Sequence, residues 1–292
     1  MNTPAFTSWT LAFLSDYGKS DAYAGILHAV ALSRLTPEAK QFTQRMDLTH
    51  EIAPFDVRAG AWQLLQALPY LPPHTVCVAV VDPHVGEASQ GLALITRPSF
   101  QHVFLAPDNG LLAPVLACLP DAQAFRLTRQ AVQAHEWFYP TRDAQRSAGT
   151  TFHGRDVYTP LACAIINAWS RGETLPLLQA SPPAPLEGAW PFPPPVQRQE
   201  GGVLAHVLLR DGFGNLITTL PSHWVDESCT QVQIKHRTQR VTLPLVSSYA
   251  EGERHPQGVA LRGSHGYIEL ARSQASFSSE INRDDALFIS ML

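Results

Sequence analysis

Residues 181–195 read SPPAPLEGAWPFPPP, and the reading of the whole chain turns on this stretch. Proline has no amide donor and a fixed φ, so neither a helix nor a central strand runs through such a segment. It predicts a stiff linker over residues 181–200, separating a domain at 1–180 from a second at 201–292. Upstream, short apolar runs alternate with longer helical patterns. WTLAFL (9–14), TVCVAVV (75–81), GLALIT (91–96) and HVFLAP (102–107) read as strands. DAYAGILHAVALSRL (21–35) and PFDVRAGAWQLLQAL (54–68) read as helices, with Tyr23, Leu27 and Val30 on one face of the first and Pro54 in the first turn of the second. That rhythm predicts an α/β domain with a mostly parallel sheet. Downstream, GGVLAHVLLR (201–210), NLITTL (215–220), TQVQIKH (230–236), QRVTLPLV (239–246) and GYIELA (266–271) are strand-like and separated by Gly, Pro, Ser and Asp. They predict a smaller, all-β domain.

The 292 residues are 45% hydrophobic, enough for two cores. The net charge of -4 arises from acidic and basic residues mixed along the chain, with no basic run to follow a phosphate backbone, so nucleic acid is not an expected partner. No apolar run approaches the roughly 20 residues that span a bilayer, and MNTPAFTSWTLAFLSDYG has no positive region before its apolar stretch. The expectation is a cytoplasmic protein without membrane contact. Cys77, Cys118, Cys163 and Cys229 lack CxxC spacing and are expected as buried free thiols. His74 near Cys77 is too little for a zinc site, so no metal is expected.

Polar clusters directly follow predicted strands: SDYG with Asp16, VVDPHVG with Asp82, and APDNGLL with Asp108 and Asn109. In open α/β sheets the ligand crevice lies at the carboxyl ends of strands, so three such loops can line one site. Any one alone reads more simply as a turn residue bonding its own backbone. TTFHGRDVYTP adds His153, Arg155 and Asp156 before another helical run. There Asp156 capping the helix, with His153 a loop residue, competes with a helix N-terminus meeting a ligand, and spacing does not choose between them.

SDYGKSDAYAG, DLTHEIAPFDVRAGAWQL, VVDPHVG, APDNGLL, TFHGRD, DGFGNLIT and GSHGYIELA occur in this order from about Leu11 to Ala271. Together they resemble the S-adenosyl-L-methionine (SAM) hydrolase (adenosine-forming) family, also called SAM hydroxide adenosyltransferase, which is related to the fluorinase and chlorinase. The resemblance implies an α/β N-terminal domain, a β-barrel-like C-terminal domain and a homotrimer with sites between subunits. It implies SAM as substrate, adenosine as product and no cofactor. Carried over by position, Asp16 would hold the ribose hydroxyls, because a carboxylate accepts from two vicinal OH groups. Asp21 and Asp211 would face the methionine ammonium, Asn215 would read the adenine edge beside Phe213, and Ser264 would bind the methionine carboxylate. Each has a plainer alternative: Asp21 as a helix cap, Asn215 as a turn residue beside Gly214, Ser264 in a Gly-flanked hairpin.

The sulfur of SAM is already cationic, so methionine leaves as a neutral thioether and no general acid is required. The family assigns the attacking water to an Asp, Arg and His set, of which Asp82 and His153 are present as the catalytic pair. Its usual DPGVGT is followed by an arginine seven residues after the Asp, a position held here by Ser89, and His84 replaces the usual glycine. A serine supplies no fixed positive charge, which leaves His84 and Arg146 as substitutes and a non-catalytic SAM or adenosine binder as an alternative. A halogenase is opposed by Asp82, where the halogenases place a tyrosine, because a carboxylate repels halide. A methyltransferase lacks its Gly-rich loop after the first strand.

Overall fold

A computed structural model describes residues 8–86, 92–97, 101–128, 131–132, 151–173, 183–186 and 194–292. The chain divides into two compact units, Met1–Trp190 and Pro191–Leu292. Of the proline-rich stretch only parts are described, and within the expected linker Gln197–Gln199 forms a short strand.

In the first unit the strands are β1 (Trp9–Ser15), β2 (Thr43–Thr49), β3 (Thr75–Val80), β4 (Leu92–Arg97), β5 (His102–Pro107) and β6 (Gln123–Leu127). They form one sheet in the order β2-β1-β3-β5-β4-β6. β2, β1, β3 and β5 run parallel to their neighbours, while β4 is antiparallel to both β5 and β6, so the sheet is mixed but mostly parallel. The helices are α1 (Tyr23–Arg34), α2 (Pro37–Phe42), α3 (Val57–Ala67), α4 (Ala113–Cys118) and α5 (Thr159–Ser170). Every residue of β1 is buried, as a central strand covered on both faces requires. Its alternate side chains divide between two cores: Leu11 and Phe13 pack with Leu27 of α1 and Ile165 of α5, and Ala12 and Leu14 pack with Leu64 of α3 and Leu111. Each such burial of a Leu or Phe contributes about 1.5 to 3 kcal/mol. Asn167 of α5 fastens the C-terminal end of α1, accepting from Thr36 N at 3.0 Å and donating to Arg34 O at 2.9 Å.

Several local expectations shift. α1 begins at Tyr23 and buries Leu27 and Ala31, while Tyr23 is exposed. α3 begins at Val57 behind an Asp56 cap, whose side chain accepts from Ala59 N, so Pro54 precedes the helix rather than opening it. Cys77 and Cys163 are buried, and burial pushes both thiols up to about 12. Cys118 is exposed and Cys229 half-buried, against the expectation that all four lie inside.

The second unit is a β-barrel. After β7 (Gln197–Gln199) come β8 (Gly202–Arg210), β9 (Leu216–Pro221), β10 (Gln231–His236), β11 (Gln239–Val246), β12 (Val259–Arg262), β13 (Tyr267–Ala271) and β14 (Ala286–Met291). The order β14-β10-β11-β12-β13-β9-β8 closes because β14 pairs with β8, and β7 is added to β8. Closure removes the open edges, and inward side chains such as Val207, Leu216, Ile234, Leu243 and Ile289 fill the interior. Among the described residues, no helix is long and apolar enough to cross a membrane.

Candidate active site

The candidate residues fall in both units. In the first, Ser15 ends β1 with its Oγ 2.7 Å from Nδ1 of buried His50, and Gly18 N donates to His50 O at 2.7 Å. Between them Asp16 accepts from Phe55 N through Oδ2 at 2.9 Å. Phe55 has φ 67°, a strained value for a bulky residue. Burial raises the Asp16 carboxyl above its usual range, the charge of Asp82 adds to this, and backbone hydrogen bonds offset part of it. Asp82 lies just past the end of β3 and is nearly buried, with Oδ1 accepting from His84 N at 3.0 Å. The third strand-end loop has another task. Asn109 donates to Val81 O at 2.8 Å and accepts from Leu111 N at 3.2 Å, so it clips the Asp82 loop in place. Asp108 is engaged by Arg126 of β6 at 3.2 Å.

His153 precedes a single π-helical turn, Gly154–Tyr158, that leads into α5. Such turns occur frequently at functional sites. The amides of Arg155 and Asp156 both donate to Phe152 O, at 3.1 and 3.0 Å. Asp156 is not a cap: its carboxylate takes the Arg155 guanidinium through two bonds of 2.7 and 2.8 Å. The His153 ring is brought instead against Asp82, Nδ1 to Oδ2 3.8 Å, with side-chain exposures of only 4% and 5%. Its Nε2 is buried and has no hydrogen-bond partner among the described residues. Gly154 is needed here because a Cβ would lie 2.6 Å from the Tyr17 Oη. Tyr17 packs edge-on to Phe152 at 5.3 Å, and burial, then the charge of Asp16, pushes its phenol above the ordinary range. Tyr17 was not singled out from the sequence; its position directly after Asp16 was the available signal. Asp21 is exposed before α1, whose N-cap is Ala22 without a side-chain cap, so Asp21 does not cap the helix. Ser89 and Arg146 lie outside the described residues.

In the barrel, Asp211, Phe213, Asn215, Tyr249, Ser264 and Glu269 line a cavity of about 520 Å³, the size of a small-molecule site. Asp211 organises the DGFGN turn: Oδ1 accepts from Phe213 N and Asn215 N, each at 2.9 Å, and Oδ2 from Asn215 Nδ2 at 3.0 Å. Gly214 has φ 89°, and a Cβ there would lie 2.5 Å from Ser276 Oγ, so the turn requires glycine. Phe213 is 86% exposed at the cavity and Ser264 is exposed, while Asn215 is buried. Sequence reasoning missed the group behind them. Glu269 is buried; it accepts from the Tyr249 hydroxyl and lies 3.3 Å from His265 Nε2. Burial would raise its carboxyl, but His265, Tyr249 and Asn215 outweigh that and hold it below the usual range.

Fold and residues together define a two-domain protein, an α/β sheet with an acid and imidazole pair beyond its strand ends and a β-barrel with a polar-lined cavity. The chain belongs to the SAM hydroxide adenosyltransferase family: residues 11–174 match the family's N-terminal domain and 205–284 its C-terminal domain. A relative from Salinispora tropica, named (R)-S-adenosyl-L-methionine hydrolase, is 38% identical over 72% of this chain and 71% of its own. One of the same name from Thermus thermophilus is 31% identical over 96% and 98%. A fluorinase from Actinoplanes is a more distant relative, 24% identical over 99% of both chains. The crystal structure of an uncharacterized conserved protein from Thermotoga maritima superposes with a TM-score of 0.75 at 26% identity, covering 96% of this chain and 99% of that one.

Proposed function

We propose that the protein hydrolyses S-adenosyl-L-methionine at the ribose C5′ to sulfur bond, releasing adenosine and L-methionine, as the names of its relatives indicate for them. The observation that carries the reading is the buried pair of Asp82 and His153, with His153 Nε2 left without a hydrogen-bond partner among the described residues. In the tautomer with hydrogen on Nδ1, that ring faces the Asp82 carboxylate and presents a lone pair at Nε2. A water held there attacks C5′ as its proton passes to Nε2. The C5′ to sulfur bond breaks with its electron pair on sulfur, and the sulfonium leaves as the neutral thioether of methionine. Asp82 stabilises the imidazolium formed. Exclusion of surplus water and in-line placement supply the remainder.

Asp16, with one oxygen on the Phe55 amide, retains acceptor capacity for the ribose diol. On the barrel, Asn215 and exposed Phe213 suit an adenine edge and face, Ser264 suits the methionine carboxylate, and Asp211 adds negative charge for the ammonium, as does exposed Asp21 of the first unit. Asp211 acts first by shaping the turn that carries Phe213 and Asn215. The proposal includes a homotrimer in the cytoplasm with sites shared between subunits and no cofactor in the reaction; light scattering tests the assembly. The decisive experiment incubates purified protein with each sulfonium epimer of SAM, with and without chloride, and separates adenosine, 5′-chloroadenosine and methylthioadenosine against an enzyme-free control. Adenosine above control, independent of chloride, supports the reading. Chlorinated product would make it a halogenase, and binding without turnover a SAM-binding protein.

A further inference from the structure

One polar cluster of the first unit plays no part in the proposed reaction. His28 on α1, Asp47 on β2 and His50 just beyond β2 converge, with one donor atom from each lying within 4.8 Å of the others. His28 Nε2 is 2.7 Å from Asp47 Oδ1 and His50 Nε2 is 3.2 Å from the same oxygen. Two imidazoles aimed at one carboxylate are more than a helix-to-strand contact needs. His28 and Asp47 are partly exposed and His50 is buried, so the cluster opens to solvent on one side and is anchored on the other.

We propose that His28, Asp47 and His50 form a site for a divalent transition-metal ion of the zinc class. Zinc takes imidazole nitrogen and carboxylate oxygen at about 2.0 to 2.2 Å, which places tetrahedral donors about 3.3 Å apart; the His50 to Asp47 separation of 3.2 Å matches this, and the 2.7 Å of His28 to Asp47 would open slightly around an ion. Three protein donors leave a fourth position, open to the solvent side, for water. The outer shell is prepared. Nδ1 of His50 lies 2.7 Å from Ser15 Oγ, a partner that fixes the ring with Nε2 directed at the metal position, as ligating histidines require. The phenyl ring of Phe13, edge-on to His28 at 4.9 Å, restricts the second ring. The donors are set nineteen and three residues apart on separate elements, so no short ligand motif marks the site in the sequence. A bound ion would clip α1 to β2 beside the loop that begins at Asp16.

The test uses tag-free, chelator-treated full-length protein titrated with Co²⁺ and then Zn²⁺, followed by visible absorption and calorimetry. The expected result is one Co²⁺ per chain, with the ligand-field bands of a low-coordinate site, displaced by Zn²⁺. His28→Gln and Asp47→Asn, both at partly exposed positions, should each weaken Zn²⁺ binding by at least roughly tenfold, since loss of an outer-shell partner alone costs 10 to 100-fold. His223→Gln, at an exposed histidine of the barrel, should leave the affinity unchanged. Absence of saturable binding, or equal loss in His223→Gln and His28→Gln, would overturn the site.

Discussion

Replacing Asp82 by Asn separates the charge of the carboxylate from its shape. The amide oxygen retains the acceptor for His84 N, so the loop after β3, also held by Asn109 on Val81 O, keeps its path. What disappears is a negative charge 3.8 Å from His153 Nδ1. When Nε2 takes a proton from the attacking water, the ring becomes a cation, and at an effective dielectric of about 20 a unit charge at that distance stabilises it by about 4 kcal/mol. One decade of rate corresponds to about 1.36 kcal/mol, so turnover should fall by about 10³, inside the 10² to 10⁴ range of acid-base assistance. Binding should behave differently. Asp82 repels the Asp16 carboxylate, so its neutralisation leaves adenosine affinity unchanged or tighter. Adenosine release measured chromatographically under saturating SAM gives kcat, and calorimetry with adenosine gives affinity. A loss of less than tenfold in kcat, or a collapse of affinity with kcat preserved, would refute the assignment of Asp82 to the chemical step.

Asp16 supplies a pH dependence: its raised carboxyl offers both hydroxyls of the diol charge-assisted acceptors only when ionised, so adenosine affinity should be full above its folded pKa and fall as pH drops through it, starting at higher pH than an unperturbed Asp. Asp82→Asn should move that midpoint to lower pH, and 2′-deoxyadenosine, lacking the diol, should show a smaller dependence; identical profiles in calorimetry would remove Asp16 from the ribose contact. Gly154→Ala brings a Cβ to 2.6 Å from Tyr17 Oη and 3.2 Å from Leu27, which should cost about 1 to 3 kcal/mol in denaturant unfolding and displace His153 enough to reduce turnover. Wild-type stability and rate would show that the turn does not hold the imidazole. Asp211→Ala removes three hydrogen bonds within the DGFGN turn, two of them to buried Asn215, so adenosine affinity should drop at least roughly tenfold and the barrel should also lose about 1 to 3 kcal/mol of stability, read by calorimetry and circular dichroism.

The central elements were legible because burial on both faces writes an apolar run: β1, β3 and β5 coincide with the predicted strands. β2 was not, since TQRMDLT is an edge strand of half-exposed polar residues and carries no such signature. Nor were β6, β12 and β14, which mix buried with exposed or half-exposed positions. The missed β6 has a direct consequence at the site. Asp108 reads as a ligand residue until Arg126, on that strand, is seen to occupy it. Asp82 and His153 are far apart in sequence, and only the sheet brings them to 3.8 Å; ordered motifs suggested the pair, and spacing could not. Glu269 sits between Ile268 and Leu270 and looks like the solvent face of a strand, yet in the barrel it is buried against Tyr249 and His265.

Polar residues at strand ends therefore need sorting by where their bonds go. Asn109 spends both ends of its amide on Val81 O and Leu111 N, Asp56 caps α3, and Asp211 directs three contacts into its own turn. These residues determine where others point. Asp16 accepts from the Phe55 amide, and its raised carboxyl reports a charge held where solvation is poor. His153 is held by a glycine-dependent turn with one ring nitrogen against a carboxylate and the other without a hydrogen-bond partner among the described residues. Burial of such a nitrogen without a partner costs on the order of 1 to 3 kcal/mol. The cost is offset when a substrate water is bound and its proton taken. In the proposed reaction His153 therefore takes the chemical role and Asn109 that of scaffold, although both stand in loops of equal polarity.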